Sequence, residues 1–188
     1  MELVNFSEYK IPNILPAEEE LLLKDIYLIV LHAAHVPPHL AVSIQGKLFT
    51  LSVDGANVDA ELTPLLKLIR QRNIESLFIK LNVPPLFTMD HLREEIKKYT
   101  LSYPRVDVGI ATCLSPIKDF CSSVYNINAR QINFLYDLLP RLYAEGQISS
   151  CFHLNLNGYL QHNSFGLKKY SMFDIHEGIR KQQRLHSI

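Results

Sequence analysis

The sequence predicts an α+β fold, on three observations. Runs rich in β-formers recur at residues 25–31, 40–53 and 76–81. Two turn dipeptides, Gln45-Gly46 and Asn157-Gly158, each separate a pair of strand-like runs. Spans carrying helix-start and helix-stop signals lie between the strands, at 63–71, 88–99 and 114–125. The chain has 188 residues, which suits a single domain over 1–188 that can bury a core without disulfides.

The elements follow in order. Residues 1–16 read as an irregular lead-in, broken by Pro12 and Pro16. Residues 17–24 read as a short helix with glutamates at its positive end. Asp25 to Leu31 reads as a buried strand, and Pro37-Pro38 closes the loop after it. Residues 40–44 and 47–53 form a hairpin. A two-residue turn sets Ile44 across from Lys47, Val42 from Phe49 and Leu40 from Leu51, all on one mostly apolar face. On the other face His39 lies across from Ser52.

Asp54-Gly55 signals a turn, and Pro64 suits the first turn of a helix running to about Gln71. Ser76 to Leu81 is a strand ended by Pro84-Pro85. Thr88 caps a helix to Tyr99, with Glu94 and Glu95 ahead of Lys97 and Lys98 on its wet face. Val106 to Ala111 reads as a short strand and Leu114 to Tyr125 as a helix. Residues 130–144 read as a helix kinked at Pro140 and stopped by Gly146. Residues 151–156 and 159–162 read as a second hairpin around Asn157-Gly158, and 174–185 as a closing amphipathic helix ending in a basic tail.

Composition narrows the function. Lysine plus arginine and aspartate plus glutamate balance at 19 each, so no excess charge points to nucleic acid. No basic region followed by an apolar run opens the chain, and the longest apolar run, 26–34, is too short to span a bilayer. The three cysteines, Cys113, Cys121 and Cys151, are an odd number with no Cys-x-x-Cys pair. Reduced thiols in a cytoplasm are the simplest reading.

Cys113 is the leading candidate nucleophile. Thr112 is placed to cap the following helix, so free amides and the positive helix end would favour thiolate at Cys113. Cys121 is the competitor, but a helix starting at Ser115-Pro116 puts it inside, where the dipole helps little. His39 is the candidate base. Its partner on the other ring nitrogen is Ser52 by register, with Thr50 or Asp54 as substitutes. A hydroxyl orients an imidazole more weakly than a carboxylate does.

The bland alternatives are a structural cysteine and a strand-edge histidine. His32, His35 and His39 have a superficially metal-like spacing, but the two prolines prevent one helix from presenting all three, and neither a metal nor another cofactor is expected. Cys151 and His153 share a strand face, which is two ligands and not a site. Lys168-Lys169 and Arg180, Lys181 and Arg184 read as a solvated basic face.

The order Asp25-Ile26, His39-led hairpin, then a cysteine at a helix start resembles the circularly permuted papain-like cysteine hydrolases. That superfamily includes relatives of NlpC-type endopeptidases and lecithin-retinol acyltransferase. Thr112-Cys113-Leu-Ser-Pro-Ile-Lys-Asp-Phe120 looks like their cysteine helix, and Cys121-Ser122-Ser123-Val124 like an alternative form of the same motif. The likeness covers about residues 24–125, with 126–188 completing the domain. It implies an antiparallel sheet packed on the cysteine helix. It also implies cleavage or transfer at an amide, peptide or ester bond of a peptide or acyl-bearing substrate, through a thioacyl intermediate. The chain departs from the pattern in having Ser52 or Thr50 as third polar residue, and in Pro116 within the cysteine helix. Those departures make a non-catalytic scaffold with a hydrolase-like fold the second expectation.

Overall fold

A computed structural model of the protein describes residues 7–185. Residues 1–6 of the expected lead-in, and 186–188 of the basic tail, lie outside the described residues. The architecture is α+β, with a mostly antiparallel sheet of seven strands covered by helices on both faces.

In chain order the strands are β1 (Glu8–Ile11), β2 (Ile14–Pro16), β3 (Ile26–Leu31), β4 (His39–Ile44), β5 (Lys47–Ser52), β6 (Gly55–Glu61), β7 (Ser76–Leu81), β8 (Ile148–Leu154) and β9 (Phe165–Lys168). The helices are α1 (Glu19–Leu22), α2 (Leu62–Gln71), α3 (Met89–Leu101), α4 (Ser115–Tyr125), α5 (Leu135–Ala144) and α6 (Met172–Leu185). The large sheet runs β2-β8-β7-β3-β4-β5-β6, and β1 pairs with β9 in a separate ribbon. Among the described strands only β2 and β8 run parallel.

Side-chain alternation explains the layering. Ile26, Leu28 and Val30 of β3 and Leu40, Val42 and Ile44 of β4 join the core under α3, α4 and α5. Tyr27, Ile29 and Leu31, with Ala41, join the opposite core under α2. All six residues of β3 are buried, because both faces of this central strand are covered. A third, smaller cluster gathers Leu51, Val106, Ala111 and Tyr170 beneath Ile175 and Ile179 of α6.

Several expectations need correction. Residues 8–16 are not irregular: they hold β1 and β2, whose partners lie more than a hundred residues away. Asp54-Gly55 predicts a turn but no strand after it, whereas β6 continues the sheet there, pairing antiparallel with β5. Residues 106–111 form a turn closed by a single Asp107–Ala111 bridge, because backbone bonds from Ile110 and Ala111 return to Asp107. Asn157-Gly158 lies in a 3-10 turn, not a hairpin, since β8 instead pairs with β7 and β2. The span 130–144 divides into a 3-10 turn at Ala129–Gln131 and α5, which begins only at Leu135. The first helix is shorter than 17–24, and α4 starts at Ser115, two residues beyond Cys113.

Candidate functional site

The β4–β5 hairpin turns at Gln45 and Gly46, with φ of 48° and 75°, as a tight two-residue connection requires. Its ladder follows the expected register at Ile44–Lys47, Ser43–Leu48 and Val42–Phe49. The ladder stops there, so His39 and Ser52 are not paired residues. Ser52 Oγ is engaged locally, donating to the Gly55 carbonyl (3.4 Å) and accepting from the Asp54 amide (3.2 Å). Thr50 Oγ1 instead meets His39 Nε2 at 2.9 Å and also reaches the Leu40 carbonyl at 3.3 Å. With Nε2 committed to Thr50, Nδ1 is the ring nitrogen left for any other partner.

Cys113 sits in the Thr112–Leu114 link that leads into α4. Thr112 Oγ1 accepts from the Leu114 amide (3.2 Å), and the Thr112 amide donates to Ser115 Oγ (3.0 Å). These two bonds fix the link without making Cys113 helical. The residue is half-buried and packs against both the α4-side core and the cluster under α6.

His39, Ser52 and Cys113 line one cavity of about 540 Å³ at the end of the sheet. The rest of the wall is largely apolar, with Pro38, Leu40, Val106 and Ile179 among its residues. His39 and Cys113 do not share a hydrogen bond, and alternation explains why. Leu40 points into the α4-side core, which sends the His39 side chain to the opposite face beside Thr50. Both side chains nevertheless line the cavity at the strand end.

Electrostatics hold both groups neutral. Burial, reinforced by nearby His32, pushes the His39 pKa down to about 4. Burial pushes the Cys113 thiol up to about 11, against the opposing pull of the Leu40, Cys113 and Leu114 backbone amides. The sulfur is therefore a thiol at neutral pH, not the thiolate that a helix start alone would favour.

Cys121 lies inside α4, fully buried, with its pKa driven up to about 12 by that burial alone. It lines none of this cavity. Cys151 is buried in β8 at 3.3 Å from the Tyr143 hydroxyl. All three cysteines are free. The His32 and His35 rings meet edge-on at 6.0 Å, and no group of three His, Cys, Asp or Glu side chains able to hold a metal occurs among the described residues. No helix among them is long and apolar enough to cross a membrane.

Two wall residues, Asn133 and Tyr170, carry no sequence signal, and His32, weighed from the sequence only as a metal ligand, joins them in the wall. Tyr170 lies close enough to Cys113 for a thiolate there to raise its own pKa further, and its carbonyl accepts from the Tyr136 hydroxyl. No local pattern marks Asn133 and Tyr170, because each reaches the cavity from chain far from His39 in sequence. No protein-family model matches the chain, and no curated protein or solved structure is significantly similar to it.

Proposed function

We propose that the protein is a thiol-dependent hydrolase or acyltransferase acting on an amide, peptide or ester bond, with Cys113 as nucleophile and His39 as general base. One observation carries the reading: the half-buried thiol and the imidazole with a committed Nε2 line the same 540 Å³ cavity. Thr50 takes the orienting role for which Ser52 was the first candidate. The papain-like resemblance is consistent with this reading.

Because both groups rest neutral, the step starts from thiol and imidazole. His39 Nδ1 takes the Cys113 proton as Sγ bonds to the substrate carbonyl carbon. The carbonyl π-electrons move to oxygen, where the Cys113 amide helps hold the oxyanion. Collapse re-forms the carbonyl and expels the amine or alcohol, which leaves with the proton from His39. Water, or an acceptor hydroxyl or amine, then displaces the thioester by the same path. Free cysteines suit a reducing, cytoplasmic setting.

The test is acylation. On incubation with activated esters of graded chain length, mass spectrometry should find one acyl group on the Cys113 peptide. Cys113→Ala should abolish the adduct, and His39→Ala should slow its formation by about 100-fold or more. Acylation that ignores His39, or none on any ester, would refute the dyad.

A second reading, a non-catalytic binding module, is favoured by the absent Cys113–His39 hydrogen bond and the two neutral resting states. It requires that ligand binding survive in a Cys113→Ala, Cys121→Ala double variant.

A further inference from the structure

We propose that α6 is a lid over the thiol cavity, hinged at Tyr170–Ser171, and that it must swing away before a substrate reaches Cys113. For its biological sense this rests on the thiol reading above, although its physical content does not.

Six of the residues lining the cavity, Ile175, Gly178, Ile179, Lys181, Gln182 and Leu185, belong to this helix, so α6 forms its roof. The roof is lightly held. In α6 only Ile175 and Ile179 are buried, whereas the shorter α4 buries six residues. Phe173 and Leu185 stand 70% and 68% exposed, so these two apolar side chains contribute little to docking. Toward its far end, Gln183 Nε2 donates to Asp107 Oδ1 of the body at 3.0 Å.

The near end is built as a pivot. Tyr170 is anchored, its ring edge-on to Phe134 and Tyr136 at 5.6 and 5.3 Å. Immediately beyond it, the Ser171 amide and hydroxyl both donate to Asp174 Oδ2 at 2.7 Å. The helix start is thus satisfied by α6 itself, so swinging the helix out would expose no unpaired cap. Over the cavity mouth the helix passes Pro37 closely: a Cβ at Gly178 would lie 3.1 Å from Pro37 Cγ. Weakly docked, self-capped segments above a site are the ones that open locally without global unfolding.

The experiment reads access to the sulfur, not turnover, so it stands apart from the fate of the catalytic reading. Alkylation of each cysteine by iodoacetamide is followed by peptide mass spectrometry in the wild-type chain and in Ile175→Ala, Ile179→Ala. The variant should label about tenfold faster or more at Cys113, with Cys121 and Cys151 unchanged. An unchanged Cys113 rate, or acceleration of all three together, overturns the lid. Native-state hydrogen exchange supplies a variant-free check: α6 amides should exchange ahead of α4 amides in the wild-type chain. Exchange of the two helices in step overturns the proposal as well.

Discussion

Burial opposes a charge on His39, and its neighbour His32 opposes it further, so the imidazole stays neutral to about pH 4. The unfolded chain protonates the same ring near pH 6.5. Between those values the unfolded state binds more protons than the native one, so stability rises with pH and is lost as pH falls through this window. At pH 4.5 the loss from His39 should be about 2–3 kcal/mol relative to pH 7. His153, lowered by its own burial, adds a loss of the same sign. Urea unfolding at pH 7 and 4.5 tests this, with His39→Gln removing the His39 increment; equal acid sensitivity in wild type and variant would contradict it. Cys113 works at the other end. Its raised pKa means the native state keeps a proton the unfolded chain sheds, so stability falls as pH climbs from about 9 towards 11.

Among the elements, the β4–β5 hairpin was the most legible. Gly46 has φ of 75°, and a methyl there would meet Leu23 Cδ2 only at ordinary contact distance (3.4 Å), so the backbone alone sets the cost of Gly46→Ala. That cost should be about 1–2 kcal/mol in urea unfolding. Gly158 is the contrasting case. Its Asn-Gly dipeptide carries the stronger hairpin signal, yet it sits in a 3-10 turn without positive φ and with open space around it. Gly158→Ala should therefore be neutral or slightly stabilising. A large loss there would restore the hairpin. The same contrast shows what sequence can supply. Gln45-Gly46 is flanked by runs that pair with each other, so local chemistry and global topology agree. At Asn157-Gly158 the preceding strand is already paired on both edges, by β7 and β2, and tertiary partners override the dipeptide. At the candidate site, His39 and Cys113 were legible as residue types. Thr50's precedence over Ser52 was not, because it depends on where the ladder ends and on the Ser52 hydroxyl turning to Gly55.

At the scale of the molecule, the chain closes on itself through contacts no local pattern announces. β1 joins β9 and β2 joins β8, so the first described residues are built into sheets with strands from the last third of the chain. Pro12 and Pro16 made this region look irregular, but Pro16 ends an edge strand, where a missing amide is tolerated. Ile11 and Ile14, 0% and 1% exposed, enter the same core as Phe120 and Leu139. An irregular lead-in and an integral strand pair make different demands. If residues 8–16 merely lay on the surface, truncating either isoleucine would change stability by less than about 0.5 kcal/mol. As core residues, Ile11→Ala and Ile14→Ala should each cost about 2–5 kcal/mol, the transfer term plus the cavity left among rigid neighbours. Because the two pair with different strands, their double variant should report on cooperativity as well. One urea transition, shifted by roughly the sum of the two, means that the β1–β9 ribbon and the seven-stranded sheet unfold as a unit. Two separated transitions would mean that the ribbon, with α6 following β9, detaches from a sheet that stays folded.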